Sequence, residues 1–169
     1  MPGLQHVRIS TERLGLRTFT EGDAAEMFAG ITPGLTRFMN WEPSASPEHF
    51  VEVWRSWLPL QHEGTDLQLT IRAGDEFVGM VGLHGLRDTE PELGIWLKED
   101  AQGLGYGYEA AAAVIAWASQ RFDISAFQWP VAVDNTPSRR IAEKLGGVVA
   151  GTFSRPKYAA VLYRVPARG

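Results

Sequence analysis

The fold is decided by the stretch Gln102-Gly103-Leu104-Gly105-Tyr106-Gly107, in which three alternating glycines run directly into the alanine-rich segment 108–122. Glycine lets a backbone turn tightly, and alanine is the strongest helix former. The amides of such a loop converge at the N-terminus of the helix that follows, where anions bind. The stretch therefore predicts a loop that holds a phosphate group.

Two common phosphate loops do not fit this stretch. A dinucleotide-binding fingerprint needs a glycine where this chain has Tyr108, and an acidic residue at the end of the next strand, about 20 residues further on. Asp134 lies too far away for that role. A Walker loop needs Gly-Lys-Ser/Thr, which does not follow here. A dinucleotide-binding module stays open only as a rival, in which NAD would stabilise the protein.

The segments on either side of the loop predict strands. Residues 93–97 precede the loop, and residues 127–133 follow the helix with Pro130 in their middle. Because proline has no amide hydrogen for a ladder, one side of the second strand is predicted to be unpaired there. Asn135-Thr136-Pro137-Ser138 then begins a short helix with a capping residue ahead of proline, and Gly146 ends it.

Hydrophobic periodicity and turn residues predict the remaining elements. They are one first strand within 8–17, a short helix over 24–30, a loop over 38–47, a helix over 49–60 with its exit at Pro59, a hairpin of strands 67–71 and 77–83 around Gly74-Asp75, and closing strands over 148–153 and 158–165.

Composition limits the class of protein. A chain of 169 residues that is 44% hydrophobic supports a single domain, 1–169. A net charge of -4 without a basic block argues against nucleic-acid binding. The chain has no cysteine, which excludes disulfides, thiolate chemistry and cysteine metal sites, and no metal site is predicted. No secretion signal or membrane-spanning run is visible, so a cytoplasmic protein that does not enter membranes is expected.

The Gln-x-x-Gly-x-Gly loop, the proline-interrupted strand and the Asn-x-x-Ser helix start together resemble the GNAT superfamily of acyl-CoA-dependent N-acyltransferases. The resemblance implies an α/β (α+β) fold with a mixed, mostly antiparallel sheet of six to seven strands flanked by helices. This sheet would splay at its central parallel pair to bind coenzyme A. The implied cofactor-binding residues are Ile95, Trp96, Leu97, Gln102, Gly103, Leu104, Gly105, Tyr106, Gly107, Asn135, Ser138 and Lys144.

Further motifs are similar to the Rim-type branch of ribosomal-protein N-terminal acetyltransferases. In chain order they are Thr11-Glu12-Arg13-Leu14-Gly15-Leu16-Arg17, Met39-Asn40-Trp41-Glu42-Pro43, Glu92-Leu93-Gly94-Ile95-Trp96-Leu97, Gly105-Tyr106-Gly107-Tyr108-Glu109-Ala110, Asn135-Thr136-Pro137-Ser138 and Glu143-Lys144-Leu145-Gly146. Two positions depart from the family. Ala142 replaces the widespread tyrosine acid, and Gly147 replaces an aromatic residue. That tyrosine therefore takes no part in chemistry here.

The resemblance implies direct attack of a primary amine on acetyl-CoA, the acyl-donor cosubstrate, in a ternary complex. The amine is mostly protonated in water, so a base is useful. Glu92, at the start of the strand bordering the cleft, is the predicted base, acting directly or through water. The alternative for Glu92 is a solvated carboxylate at a strand end without a catalytic role. Glu90 is the second candidate for the base. Ser138 is predicted to contact the thiol, chiefly as a hydrogen-bonding group. His84 is interpreted as structural.

Several partners and roles remain open at this stage. The acceptor is a protein N-terminus or a small-molecule amine, and a homodimer is a further implication of the family. Arg139, Arg140 and Lys144 are candidate phosphate contacts, while the six tryptophans are interpreted mostly as core or pocket wall. The alternatives are a non-catalytic acyl-CoA sensor, favoured by Ala142, and an acyltransferase for another acyl group such as succinyl.

Overall fold

The computed structural model describes residues 3–168, which form an eight-stranded sheet in the order β1-β2-β3-β4-β5-β6-β8-β7. The strands are β1 (Arg8–Ser10), β2 (Gly15–Thr18), β3 (Asp66–Ala73), β4 (Glu76–His84), β5 (Glu92–Leu97), β6 (Ala126–Ala132), β7 (Val148–Ser154) and β8 (Ala159–Pro166). The helices are α1 (Ala24–Gly30), α2 (Pro33–Thr36), α3 (Pro47–Arg55), α4 (Trp57–Glu63), α5 (Tyr106–Arg121) and α6 (Thr136–Lys144).

The sheet has one strand more than the predicted six to seven because the expected first strand is a hairpin. The amide of Thr11 donates to the carbonyl of Leu14 at 2.9 Å and closes a turn. Arg8 then pairs with Arg17 in antiparallel register. Alternation alone does not separate one strand from two short ones, since both give the same pattern of side chains.

The predicted helix over residues 49–60 is also two elements. It breaks at Ser56, whose hydroxyl donates to the carbonyl of Val53 at 2.6 Å, and Trp57 begins α4. The expected exit at Pro59 is wrong, because Pro59 lies in the first turn of α4, where helix amides need no partner. The helix ends instead at Gly64, which has a left-handed backbone with φ of 80°.

The sheet has a different hydrophobic layer on each face. The long helix α5 packs its buried face, which includes Ala111, Val114 and Ile115, on the side chains of Leu67 and Leu93 from β3 and β5. On the opposite face α1 and α3 pack their side chains, including Met27 and Phe50, around Met80 of β4. The functional surfaces described below lie on this second face and at the sheet's central gap.

The central gap lies between β5 and β6, the parallel pair of the sheet. These strands pair at a single register position, Glu92 with Gln128, and then diverge. Pro130, beyond that position, pairs with Leu162 of β8 on its other side. The unpaired side predicted at Pro130 therefore faces β5, and the mixed fold with a splayed parallel pair is confirmed.

No helix within residues 3–168 is long and apolar enough to cross a membrane. Over the same range, no group of three or more His, Cys, Asp or Glu side chains is placed to hold a metal ion.

Candidate active site

The glycine loop joins β5 to α5 at the mouth of the gap. Gly103 and Gly105 have positive φ of 80° and 82°, which a side chain would strain, and Gly105 caps the helix. Gly107 is needed for a different reason, since a Cβ there would lie 2.8 Å from Cδ1 of Ile141 on α6. Gln102 Nε2 donates to the carbonyl of Leu97 at 3.0 Å and fixes the start of the loop to the end of β5. The first amides of α5 have no partner within the helix, and they begin where this loop ends.

A polar brace from the N-terminal hairpin holds this loop. The carboxylate of Glu109 in the first turn of α5 accepts from the Thr11 hydroxyl at 2.5 Å and from Arg13 Nε at 2.7 Å. The bond from Thr11 is the main cause of the lowered pKa of Glu109; burial opposes it, and the bonds and charge of Arg13 lower the pKa further. Arg13 Nη1 also donates to the carbonyl of Leu104 at 2.8 Å. The brace therefore ties the loop backbone to the N-terminal hairpin.

The gap and the glycine loop enclose a cleft of about 390 Å³, called here the loop cleft. Its walls come from β5, the glycine loop, the start of α6 and the segment that follows α2. The lining residues are Gly34, Leu35, Arg37, Phe38, Met39, Ile95, Trp96, Leu97, Gln102, Gly103, Gly105, Gly107, Tyr108, Asp134, Asn135, Pro137, Ser138 and Ile141. An elongated ligand with a phosphate end fits this combination of apolar walls and backbone amides.

Ser138 is held in the loop cleft by two partners. The buried indole of Trp129 donates from Nε1 to Ser138 Oγ at 3.2 Å. The backbone amide of Ser138 donates to Oδ1 of Asn135 at 3.4 Å, so Asn135 caps α6. Because the serine oxygen already accepts from Trp129, its own proton is free to point to a ligand atom in the cleft.

A second cavity of about 390 Å³, called here the aromatic cavity, lies between β3–β5 and the N-terminal helices. Most of its wall is apolar. The lining residues are Met27, Ile31, Met39, Trp41, Glu42, Ser44, Phe50, Val53, Trp57, Gln68, Met80, Gly82, His84, Gly94, Ile95 and Trp96. The loop cleft and the aromatic cavity share Met39, Ile95 and Trp96, so they meet at the edge of β5.

The segment that separates the two cavities is held by Lys157 from the turn between β7 and β8. Its Nζ donates to the carbonyls of Thr36 and Trp41 at 2.7 and 3.1 Å, and to the carboxylate of Glu42 at 2.6 Å. Glu42 lines the aromatic cavity, and its charge is paired with this lysine. The lysine thus joins the C-terminal hairpin to the wall shared by both cavities.

Comparison with known proteins decides the family. The model of the acetyltransferase (GNAT) domain matches residues 13–148. The chain belongs to the GNAT acetyltransferase family. It is 23% identical over 154 residues to the ribosomal-protein-serine acetyltransferase of Escherichia coli, covering 88% of this chain and 86% of the relative.

Solved structures agree with this GNAT fold. RimJ of Mycobacterium smegmatis, in complex with CoA-disulfide, has a TM-score of 0.87 at 18% identity, covering 99% of this chain and 90% of that one. The spermidine N-acetyltransferase of Vibrio cholerae, in complex with CoA and spermine, has a TM-score of 0.80 at 16% identity, covering 93% and 97% of the two chains. The predicted resemblance to the GNAT superfamily and its Rim-type branch is confirmed.

Most residues predicted for the GNAT cofactor site line the loop cleft, but three do not. Leu104 is 52% exposed, and Tyr106 packs its ring against the Arg13 guanidinium. Lys144 places its ammonium group 4.0 Å from the ring centre of Tyr108, which does line the cleft. Of the arginines considered for phosphate contact, Arg139 donates from Nε to the Tyr163 hydroxyl at 3.1 Å.

The carboxylates predicted for catalysis lie at the edge of the site. Glu92 begins β5, where it pairs with His84 and with Gln128, and it is not among the described residues that line either cavity. Burial raises the pKa of Tyr158, and the nearby charge of Glu92 adds to this rise. The positive charges of Arg155 and Lys157 act in the opposite direction. Glu90, the fallback, accepts from Arg164 Nε at 2.8 Å. His84, set aside from the sequence, does line the aromatic cavity.

Sequence reasoning missed the part of the wall that follows α2, including Arg37, Phe38 and Met39. The only sequence signal for this part of the wall was Met39, which begins the Rim-type motif Met39-Asn40-Trp41-Glu42-Pro43. The two departures from the GNAT pattern have local explanations. Ala142 is completely buried, and a Cβ at Gly147 would lie 2.7 Å from the Ala142 carbonyl. An aromatic side chain therefore does not fit at position 147 without backbone movement.

Proposed function

We propose that this protein transfers an acetyl group from acetyl-CoA to a primary amine by direct attack in a ternary complex. The observation that carries the proposal is the junction of the loop cleft and the aromatic cavity at Met39, Ile95 and Trp96. One substrate can extend into each cavity while their reactive ends meet at β5. A binding module with a single ligand has no need of the second cavity.

The loop cleft is the proposed site of the acyl donor. Amides of the glycine loop and of the first turn of α5 would hold the pyrophosphate, since a helix N-terminus attracts anions. The edge of β5 that diverges from β6 would pair with the amides of the pantetheine arm, as an added strand does. Support comes from the relatives, because the RimJ and spermidine acetyltransferase structures are complexes with CoA-disulfide and with CoA.

Residues around the junction would supply the proposed chemistry. Attack requires a neutral amine, so a base must take a proton. Glu92 is the proposed base, and because it lines neither cavity it would act through an intermediary. Backbone amides of β5 would stabilise the oxyanion. Ser138, with its oxygen already bonded to Trp129, would donate to the departing sulfur. Such help is modest, since a thiolate leaves readily.

The acyl group proposed is acetyl. All three residues common to the two cavities are apolar, so a carboxylate on the acyl chain, as in succinyl, would meet no charged partner among them. A small methyl group is the better fit to Met39, Ile95 and Trp96.

The acceptor proposed is an amine with an apolar or aromatic body, either at a protein N-terminus or in a small molecule. Apolar side chains make up most of the wall of the aromatic cavity, with four tryptophan or phenylalanine rings among them. Glu42 is the one carboxylate among the described residues that line it, and it is paired with Lys157. A polyamine carries several charges and would need further carboxylates to pair with them. A homodimer stays a prediction from the family.

The test is a mass-spectrometric assay of the purified protein with acetyl-CoA or succinyl-CoA and a panel of N-terminal peptides, aromatic amines, amino-sugars and polyamines. The expected result is amine-dependent release of CoA with acetyl-CoA, fastest for amines with an apolar body. If coenzyme A binds but no amine in the panel is acetylated, the enzymatic proposal is overturned.

A non-catalytic acyl-CoA sensor is the second candidate, favoured by Ala142 at the position of the family's tyrosine acid. Substituting Glu92→Gln and Ser138→Ala separates the two. An enzyme should lose rate while acetyl-CoA affinity, measured by calorimetry, changes little. A sensor has no rate to lose and should show the parent's affinity in both variants.

A further inference from the structure

The side chain of His84 is held by an acidic partner beside the aromatic cavity. Its Nδ1 lies 3.0 Å from Oδ2 of Asp66 on the neighbouring strand β3. A carboxylate can only accept, so the proton of this bond belongs to Nδ1, and the lone pair of the imidazole is left on Nε2. The other oxygen of Asp66 accepts from the backbone amide of Gly85 at 3.2 Å, which fixes the carboxylate in turn.

The free nitrogen of His84 lies over the floor of the aromatic cavity. A Cβ built on Gly82 would be 3.1 Å from His84 Nε2 and 2.9 Å from Oε1 of Gln68, so the imidazole and the Gln68 amide together occupy the space that this glycine leaves open. Gly82 pairs across the sheet with Gly94 of β5. A Cβ on Gly94 would meet no described atom within 4 Å, so open space lies beside the nitrogen.

That open space adjoins the junction of the two cavities. Gly94 immediately precedes Ile95, which lines both the loop cleft and the aromatic cavity. Cross-strand neighbours such as Gly82 and Gly94 are about 5 Å apart. A small group over Gly94 is therefore within reach of both His84 Nε2 and a ligand along β5.

We propose that His84 Nε2 accepts the proton of the acceptor amine over Gly94, and that Asp66 positions the imidazole for this step. The inference rests on the proposed function and names the group that contacts the amine, with Glu92 as its cross-strand neighbour rather than as the contacting base. His84 is thus a catalytic residue, and Asp66 a positioning residue.

The ammonium group of the acceptor gives one proton to His84 Nε2 and becomes a neutral amine. Its lone pair forms the new C–N bond to the thioester carbon, and the C–S bond breaks with its electron pair on sulfur. A second proton leaves the nitrogen and reaches the sulfur, by way of the Ser138 hydroxyl. The products are the amide, the CoA thiol and a protonated His84, which returns its proton to solvent.

The test uses substitutions that distinguish a role of His84 as a base from a purely structural role. In His84→Asn the side-chain amide can still donate to Asp66, but nothing replaces Nε2. We expect kcat to fall about 10²-fold with little change in acetyl-CoA affinity. The matched control is His49→Asn, because His49 is exposed on α3 and lines neither cavity. If His84→Asn keeps the parent's kcat, the histidine is structural and the proposal is overturned.

The dependence of the defect on pH gives a readout that a structural role would not move. Free amine becomes abundant in solution as pH rises, so the loss caused by His84→Asn should shrink towards alkaline pH. Three carboxylates lie near the imidazole: Asp66 and Glu92 are its cross-strand neighbours on β3 and β5, and Glu42 lines the same cavity. The pH profiles of Glu92→Gln and Glu42→Gln are therefore measured in parallel. A defect that is constant across pH would contradict the proposal.

Asp66→Asn tests the positioning role. We expect about a tenfold loss of kcat, and no further loss when it is combined with His84→Asn, since both changes disable one unit. Additive losses would show that Asp66 acts independently of the imidazole.

A measurement without turnover distinguishes failure of this inference from failure of the proposed function. Nitrogen-15 NMR identifies which ring nitrogen carries the proton in each of the four histidines, and the signal lost in His84→Asn assigns His84. The tautomer with its proton on Nδ1 is expected, because Nδ1 faces the Asp66 carboxylate. If Nε2 carries the proton, the inference is overturned whether or not the protein acetylates amines. If Nδ1 carries the proton but no amine is acetylated, the proposed function is overturned, and with it the catalytic role built on it.

Discussion

At the scale of single residues, Gly94 is where the two proposed substrates approach each other. The open space above it separates His84 from the edge of β5, and its backbone does not need a positive φ. The backbone at position 94 therefore tolerates a side chain, and such a side chain would affect only a ligand that occupies this space.

We expect Gly94→Val to block the acceptor amine while leaving the donor site intact. Branched side chains suit strands, so the free energy of unfolding should change by less than about 1 kcal/mol. The apparent KM for the amine should rise at least about tenfold, or transfer should be lost, with unchanged affinity for CoA in calorimetry. Gly151→Val on the edge strand β7, where a Cβ also meets no described atom, is the matched control. Normal amine kinetics in Gly94→Val would place the acceptor elsewhere.

At the scale of elements, the donor loop depends on a strand hairpin that is distant in sequence. Thr11 and Arg13 hold Glu109 at the start of α5, and Arg13 also holds the carbonyl of Leu104. The loop is thus fixed before any ligand arrives, which reduces the entropy that binding would otherwise lose.

We expect Glu109→Ala to weaken CoA binding about tenfold, because Arg13 loses the carboxylate that orients it. The control is Glu143→Ala, an exposed carboxylate on α6. Calorimetric titration with CoA measures the effect, and a thermal melt reports any loss of stability separately. Equal affinity in the two variants would show that the loop does not need the brace.

The donor loop was predictable from sequence because its determinants are local. Glycine spacing, a helix former and a proline within a strand act on their immediate neighbours, and these elements were predicted close to their observed bounds. The break at Ser56 and the hairpin turn at Thr11 were missed. In each case local hydrogen bonds, not a hydrophobic pattern, mark the boundary between two elements.

At the scale of the whole molecule, the buried carboxylate of Asp23 ties α1 to the sheet. It lies 2.5 Å from Arg17 Nη2 and 2.9 Å from Arg72 Nη2, and it accepts from the Thr20 amide at 2.9 Å. Burial alone would raise the pKa of Asp23, but the bonds from Thr20, Arg72 and Arg17 outweigh it and lower the pKa. The helix it anchors carries Met27, part of the aromatic cavity's wall.

We expect Asp23→Asn to lower the free energy of unfolding by about 3 kcal/mol at neutral pH, because two arginines lose their buried partner. Since the pKa is lower in the folded state, the carboxylate stabilises the fold fully above its unfolded value of ~4 and loses this contribution as pH falls through the folded value. Urea unfolding should therefore show the gap between parent and variant narrowing below about pH 4. A gap that does not change with pH would contradict the assignment.

The aromatic cavity as a whole could not be predicted from sequence, in contrast to the loop cleft, although tryptophans interpreted as core or pocket wall, among them Trp41 and Trp57, do line it. Its lining comes from α1, α3, β3, β4, β5 and the segment around Trp41, which lie far apart in the chain. The link between Asp66 and His84 exists only because β3 and β4 pair in one register. Cross-strand neighbours of this kind depend on the global pairing, so His84 alone gave no signal of its partner.

The contact of Lys157 with the segment around Trp41 and Glu42 has an evolutionary consequence. The β7–β8 turn belongs to the C-terminal half of the chain, yet it supports the wall that the acceptor would touch. The glycine loop makes no part of this contact. Descendants of such a protein can diverge in the amine they recognise through changes in a distant surface turn, without any change in the glycine loop itself.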